Sequence, residues 1–535
     1  RQHSVVLMIF MTSAPATIFE VFSRAAEAHA DRVWLSVTPE TATVYGIEPG
    51  DITYTQAFDA ALALRARYAD AGYGPGHRVG LLLENRPSFF LHWFALNALG
   101  VSIVPLNPDL RVIELGYVIA HSELVAIVAI ASRHAMLLEA AGDRPVSITA
   151  PDDAPVSVTK LGSATDEAAL LYTSGTTGRP KGCVLPNAYF LAAGDWYARL
   201  GGLGTMRPGQ ERMLTPLPLF HMNALAFSAM AMLVTGGCLI PLDRFHPRTW
   251  WRTVRDARAT VVHYLGVMPA ILMADPPSVD DQAHAVRFGF GAGVDGKLHA
   301  PFEERFGFPL IEAWAMTETG AGAVIAANEE PRHVGTYCFG RPTAEIECRI
   351  VRDDGSDAQQ GELLVRHAGP DPRFGFFREY LKDADATAEA WANGWFHTGD
   401  VVRREPDGSM HFVDRRKNVI RRSGENIAAV EVESALRQHP AVVAVAVAPT
   451  NDPVRGEEVF ACIVTGGEPN EALAHQITAW CVERLAYYKA PGFIAFVSEL
   501  PLTSTQKIQR GELRTLIASL ATTAHDTRAL KRRPR

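Results

Sequence analysis

The chain has 535 residues, about three and a half times the length of a typical single domain, so its core must be divided. Apolar residues make up 47% and charged residues 21%, an ordinary globular balance that excludes wholesale disorder. With 51 basic and 59 acidic residues the net charge is −8, which argues against nucleic acid as a partner.

Along the chain, Ile18, Phe22 and Ala25 fall at helical spacing, as do Phe58, Ala61, Leu62, Ala66 and Ala69. Residues 79–83 then read as a buried strand, 87–99 as a helix opened by Pro87, 101–104 as a strand, 113–121 as a helix and 125–131 as a strand. Strands alternating with helices predict doubly wound α/β sheets covered on both faces. Residues 224–242 carry no charge over 19 positions, long enough to suggest a membrane span. Gly236, Gly237 and Pro241 interrupt them, so a buried helix, a turn and a short strand fit better. A boundary is expected at Asp414, dividing residues 11–413 from a shorter α+β unit, 414–535, with a helix over 430–438 and a strand over 442–448. The charge divides unevenly: 34 basic and 46 acidic residues before Asp414 leave −12, and 17 and 13 after it leave +4, all of it matched by Lys531 to Arg535.

Six cysteines, at 183, 238, 338, 348, 462 and 481, form no CxxC pair and adjoin no histidine-rich run. Their spacing speaks for reduced thiols and a cytoplasmic protein rather than a zinc site or disulfide framework. The apolar residues 5–10 are too few for a signal-peptide core.

The strongest local signal is Thr173-Ser-Gly-Thr-Thr-Gly-Arg-Pro-Lys-Gly182, delivered by an apolar strand over 168–172. Its glycines let backbone amides approach an oxyanion, its hydroxyls add donors and Lys181 adds charge. The loop is therefore a phosphate cradle, although GxxxxGK[ST] does not fit it. This string resembles the signature of the adenylate-forming superfamily: acyl-CoA synthetases, peptide-synthetase adenylation domains and luciferases. Further motifs of that family occur in order, so the resemblance covers residues 18–516.

By this resemblance, Thr173, Ser174, Gly175, Thr176, Thr177, Gly178 and Lys181 would hold ATP phosphates. Leu217-Pro-Leu-Phe-His-Met-Asn223 resembles the motif that lines the acyl pocket with His221, joined by Tyr264, Phe290 and Met316. Gly291, Ala292 and Gly293 resemble the glycine-rich strand end whose backbone meets adenine. In Glu312-Ala-Trp-Ala-Met-Thr-Glu318 the usual Tyr-Gly is replaced by Trp314 and Ala315. Trp314 keeps an aromatic face for adenine and loses the phenol hydroxyl. Thr317 and Glu318 match catalytic positions, with Glu318 as the Mg²⁺ ligand. Asp400, in Trp395-Phe-His-Thr-Gly-Asp400, would accept from the ribose hydroxyls, and Arg415 would add a cationic fork nearby. Lys417 matches the hinge, and Ser423, Gly424 and Glu425 the loop for CoA. Lys507 matches the catalytic lysine, preceded by Gln506 where glycine is usual.

The implied fold is a large N-terminal domain of doubly wound parallel sheets with a β-barrel-like subdomain, plus a small mobile C-terminal domain. The implied activity is an ATP-dependent acyl-CoA ligase: a carboxylic acid becomes an acyl adenylate with loss of pyrophosphate, and CoA then takes the acyl group. The motif endings are most similar to fatty-acid or crotonobetaine/carnitine-type CoA ligases, so a fatty or other apolar acid is expected. The alternatives are a free-standing adenylation enzyme that loads a carrier protein, for which no carrier domain follows Lys507, and a non-catalytic ATP-binding paralogue. No transmembrane segment is expected; peripheral membrane contact and a homodimer are left open.

Overall fold

Short apolar strands alternating with helices build two large sheets in the first three quarters of the chain. The computed structural model describes residues 16–161, 165–173, 179–352, 354–415, 419–501 and 508–533. The first sheet has eight strands, in spatial order Ile325–Ala326, Leu310–Trp314, Phe288–Ala292, Val261–Leu265, Arg212–Thr215, Cys238–Pro241, Val33–Val37 and Gly50–Thr53. Its six inner strands run parallel and its two edge strands antiparallel. The second has seven, in order Glu379–Tyr380, Lys181–Pro186, Glu167–Thr173, Ser102–Pro105, Arg78–Leu82, Ala126–Ala129 and Ser147–Thr149. Five of these are parallel, and Lys181–Pro186 turns back antiparallel beside Glu167–Thr173.

Both faces of the second sheet are buried. Val79, Leu81, Ile103, Val128 and Leu171 join the main core, whereas Leu82, Val104, Ile127, Leu170 and Val184 pack on the opposite side against Leu115, Val118 and Ile119 of the helix Val112–Ser122. Successive residues of a strand point to opposite faces, so a run apolar at every position needs cover on both. Helix starts follow from local chemistry: Thr53 closes a capping box with Gln56 at the head of Tyr54–Asp70, and Pro87 occupies the first turn of Pro87–Asn97.

The uncharged stretch folds inward. A π-helical turn, Asn223–Ser228, leads into the helix Ala229–Thr235; Gly236 takes φ +67° and the strand Cys238–Pro241 follows, all with a largely buried wall of side chains. Among the described residues no helix is long and apolar enough to cross a membrane. A five-stranded antiparallel sheet, Cys338–Gly340, Met410–Arg415, Phe396–Arg404, Gln360–His367 and Ile346–Val351, makes the barrel-like unit.

Most buried apolar residues up to Met410 belong to two large cores. From Ile420 onward they form two separate clusters. These lie on either side of a sheet of Glu425–Ala428, Val419–Arg422, Gly456–Thr465, Phe493–Phe496 and His525–Asp526, with Val442–Asp452 paired to Gly456–Thr465. The helices Ala429–Leu436, Glu471–Arg484 and Arg510–Leu520 complete this α+β unit. All six cysteines are free thiols, and five are buried.

Candidate active site

Parallel sheets present their ligands at the carboxyl ends of the strands. Here the strand Glu167–Thr173 of the second sheet and the strands Phe288–Ala292 and Leu310–Trp314 of the first end at one cavity of about 250 Å³. Thr173, Lys181, His221, Phe290, Gly291, Ala292, Met316, Thr317, Glu318 and Asp400 all line it. From the small unit Val419, Arg421, Gly424 and Asn426 face the same space. One side is apolar, with Leu217, Met222, Phe227, Leu265 and Val324 beside Phe290.

The charged groups are held by the large unit itself. Glu318 is only 7% exposed, and Tyr380 donates its hydroxyl to Glu318 Oε1 at 2.8 Å. Tyr380 arrives on the short strand paired to Lys181–Pro186, and Lys181 Nζ lies 4.8 Å from its ring centroid. Burial first, and then the negative charge of Glu318, push the Tyr380 phenol far above its usual range, so it stays a neutral donor. Lys181 also stands 3.8 Å from Asp383 Oδ2. The Thr317 carbonyl accepts from the buried Tyr189 hydroxyl at 2.9 Å, and Thr319 Oγ1 accepts from Met316 N–H at 2.9 Å, which fixes the turn between strand and carboxylate.

Asp400 is fixed from several sides. Trp314 Nε1 donates to its Oδ2 at 2.9 Å, its own amide donates to Thr398 Oγ1 at 3.0 Å, and it pairs across the strand ladder with Arg415. Trp314 is therefore turned towards the acid and towards Phe339, 6.2 Å away; its flanking Ala313 and Ala315 line the cavity while Trp314 does not.

Tyr264 is likewise turned away. It is buried, and its hydroxyl donates to Glu312 Oε1 at 2.7 Å. The other carboxylate oxygen, Oε2, accepts from Gly293 N–H at 2.9 Å, while Val294 N–H donates to Oε1 at 3.3 Å. Glu312 thus ties down the Gly291–Ala292–Gly293 strand end behind the cavity wall. Burial pushes its carboxyl above the usual range, against the pull of Tyr264 and the two amides. A side chain at Gly291 would put Cβ 2.2 Å from the Tyr264 carbonyl oxygen, so the close strand approach requires glycine there.

Beside Phe290 on the adjacent strand lies His263, fully buried, with Nδ1 2.6 Å from Asn223 Oδ1 and Nε2 2.9 Å from the Tyr197 hydroxyl. Burial lowers it to about 3, so the ring is neutral. Asn223 starts the π-helical turn and lines the cavity.

In the small unit, Ser423 and Gly424 both have positive φ, +51° and +88°. Ser423 Oγ is buried without a hydrogen-bond partner among the described residues, and Glu425 meets His221 Nε2 at 3.3 Å. Burial raises the Glu425 carboxyl, but His221, Lys489 and Arg533 together hold it below the usual range. Ser174, Gly175, Thr176, Thr177, Gly178, Lys417, Lys507 and the Arg415 side chain lie outside the described residues. Leu500 and Ile508, on either side of the last lysine motif, pack against the small-unit cluster of Phe460 and Leu513, and neither lines the cavity.

Sequence reasoning passes over Tyr380, Glu312 and the Asn223–His263 pair. Glu312 and Asn223 stand inside the family motifs, and a search for polar residues one strand pair away from a motif would raise them. Nothing in the spacing links Tyr380 to Lys181.

The profile of the AMP-binding enzyme family matches residues 22–381. The chain belongs to this family. A profile for the AMP-binding enzyme C-terminal domain matches residues 431–507. The crotonobetaine/carnitine–CoA ligase of Escherichia coli is 30% identical over 467 residues, covering 83% of this chain and 89% of that protein. Among solved structures, an amide bond synthetase from Marinactinospora thermotolerans superposes with a TM-score of 0.79 at 26% identity, covering 92% of this chain and 99% of the other. A malonyl-CoA ligase in complex with methylmalonyl-CoA and AMP gives 0.73 at 28% identity, covering 92% and 99%. This AMP-binding enzyme is thus an AMP-forming ligase of the adenylate-forming superfamily, and among its described motif residues Thr173, Lys181, His221, Gly291, Ala292, Thr317, Glu318 and Asp400 line one cavity.

Proposed function

We propose that the enzyme is an ATP-dependent acyl-CoA ligase acting on a fatty or other apolar carboxylic acid. The observation that carries the reading is the meeting, in one cavity, of Lys181, Glu318 and Asp400 with an apolar wall and with the Gly424 turn of the small unit.

A carboxylate is a poor acyl donor because oxide is its leaving group. Its oxygen attacks the α-phosphorus of ATP, the bond to the bridging oxygen breaks, and pyrophosphate leaves. Two anions must approach, so positioning and charge neutralisation supply most of the catalysis. Lys181 and the residues from Thr173 to Gly178 hold phosphates, Asp400 accepts from the ribose, and Gly291, Ala292 and Gly293 offer backbone to adenine. Trp314 acts through Asp400, whose carboxylate it orients, and Tyr264 acts through Glu312. His221, Phe290 and Met316 line the acyl side. Lys507 bridges the two reacting anions in this first step.

The residues fit one Mg²⁺. Glu318 would hold it with a single carboxylate, Thr317 and Thr173 lining the same cavity, and phosphate oxygens and water would supply its remaining ligands. Bound there, Mg²⁺ would supply neutralisation of phosphate charge.

In the second step the sulfur of CoA attacks the carbonyl carbon and AMP leaves. We assign residues 11–413 to the nucleotide and acyl machinery and 414–535 to a small domain that turns at Lys417 between the steps. The Gly424 turn facing the cavity, with the segments flanking Lys507 packed elsewhere, supports the present arrangement as that of the second step.

The test measures pyrophosphate and AMP with octanoate, crotonate and benzoate, with and without CoA, and identifies products by mass. Thioester formation is expected with at least one acid. Lys507→Ala should abolish adenylation and retain thioester formation from preformed acyl adenylate. Similarity to an amide bond synthetase makes amine acceptors the control: an amide in place of every thioester would replace this reading.

A further inference from the structure

The Arg422–Glu425 turn is held through Glu458, 36 positions on, by a residue more than a hundred positions further along the chain. Arg422 is 3% exposed, and its Nε donates to Glu458 Oε2 at 2.8 Å. Glu458 is fully buried, and its other oxygen receives Lys531 Nζ, whose side chain is also fully buried. One carboxylate thus joins the turn to residue 531. Two positions on, Arg533 Nε donates to Asp109 Oδ1 at 2.6 Å, and Asp109 belongs to the large unit. Thr527 seats the segment, its amide on the Gly492 carbonyl and its hydroxyl on the Pro491 carbonyl, each at 2.9 Å.

The cations at 531 and 533, which composition alone assigns to a surplus of +4, are consumed by one carboxylate inside the small unit and one across the boundary. The two ends differ in strength. The Lys531–Glu458 pair is buried and shares its carboxylate with Arg422, so removing Glu458 leaves two buried cations without their partner, whereas removing Lys531 leaves Glu458 paired to Arg422. The Arg533–Asp109 pair is partly exposed, with side chains 35% and 13% accessible, so it contributes modestly. A contact of that size biases a two-state equilibrium without locking it.

We propose that residues 527–533 are a clasp for the CoA step, in which Lys531 braces the Arg422–Glu425 turn from within and Arg533 fastens the small domain to Asp109 of the large one. Both are positioning residues; neither touches a reacting atom. The clasp rests on the two-step reading of the reaction, and its test separates the two.

Nitroxides placed at Leu138→Cys and Val443→Cys, both exposed positions in different units, report the inter-domain distance in the full-length protein by double electron–electron resonance with AMP and CoA present. The parent should give one dominant distance. Arg533→Ala and Asp109→Asn should each broaden it or add a second population, with no further change in the double variant, and Arg533→Lys should restore part of it. In half-reaction kinetics with the best acid of the panel, Arg533→Ala should slow thioester formation about tenfold, chiefly in kcat, with adenylation changed less than about twofold. An unchanged distance distribution, or equal slowing of both half-reactions, would overturn the clasp. A parent enzyme that makes no thioester from any acid would sink the CoA reading, while the distance measurements would still decide the clasp.

Discussion

The two walls of the cavity are built differently. On the large-unit side every charged group is anchored by its own unit: Tyr380 on Glu318, Trp314 on Asp400, Glu312 on the Gly293 strand end. On the small-unit side the Arg422–Glu425 turn has two positive φ angles and a Ser423 hydroxyl with no partner among the described residues. It meets the large unit through the half-exposed His221–Glu425 contact, while Lys489, Asn107 and Asp109 make polar contacts further out. One wall is preorganised, as electrostatic catalysis requires; the other joins the large unit through discrete polar contacts, of which Lys489–Glu114 is buried and the others are partly exposed.

That contrast can be broken at four points of decreasing size. Glu318→Gln keeps an acceptor for Tyr380 but removes the charge, and adenylate formation followed by pyrophosphate release should fall by about 10²–10³. Gly424→Ala places Cβ 2.2 Å from Leu265 Cδ1 at a φ of +88°, so thioester formation should fall by roughly 10–100-fold while adenylation persists. Equal loss of both steps would show that the two walls do not act separately. Trp314→Phe removes a hydrogen bond to a buried carboxylate, and KM for ATP should rise about tenfold with a smaller change in kcat.

The smallest effect concerns stability. His263 is held near 3 in the folded chain and titrates near 6.5 when unfolded. The unfolded state therefore binds the extra proton between these values, so this contribution is complete above about pH 6.5 and is lost as pH falls towards 3. At pH 5 the loss is about 2 kcal/mol from this group, seen as a falling melting temperature. His92, lowered to about 4 by burial, acts in the same direction. His263→Phe should flatten the slope between pH 6.5 and 5.

Much of this arrangement is legible in the chain. The alternation of strands and helices from residue 79 to 131 reappears with ends shifted by one or two residues, because a strand buried on both faces writes its cover into an unbroken apolar run. The uncharged residues 224–242 resolve into helix, turn and strand at Gly236 and Gly237. Of the described motif residues, Thr173, Lys181, His221, Phe290, Gly291, Ala292, Met316, Thr317, Glu318 and Asp400 line one cavity. Tyr264 and Trp314 are the exceptions in orientation. Both carry a polar handle, and each is drawn to a carboxylate, Glu312 or Asp400, that lies distant in sequence.

The sequence by itself determined the α/β class, the family and the motifs, because apolar periodicity and the glycine- and hydroxyl-rich phosphate loop are local properties of consecutive residues. Tertiary structure alone decided which groups share a carboxylate. Tyr380 reaches Glu318 across 62 positions, Lys489 reaches Glu114 across 375, and Arg533 reaches Asp109 across 424. The charge imbalance of −12 and +4 therefore does not act as a domain-wide field. Its decisive members are paired one by one, since an ion taken out of water needs a specific partner at hydrogen-bond distance, and only the fold chooses which.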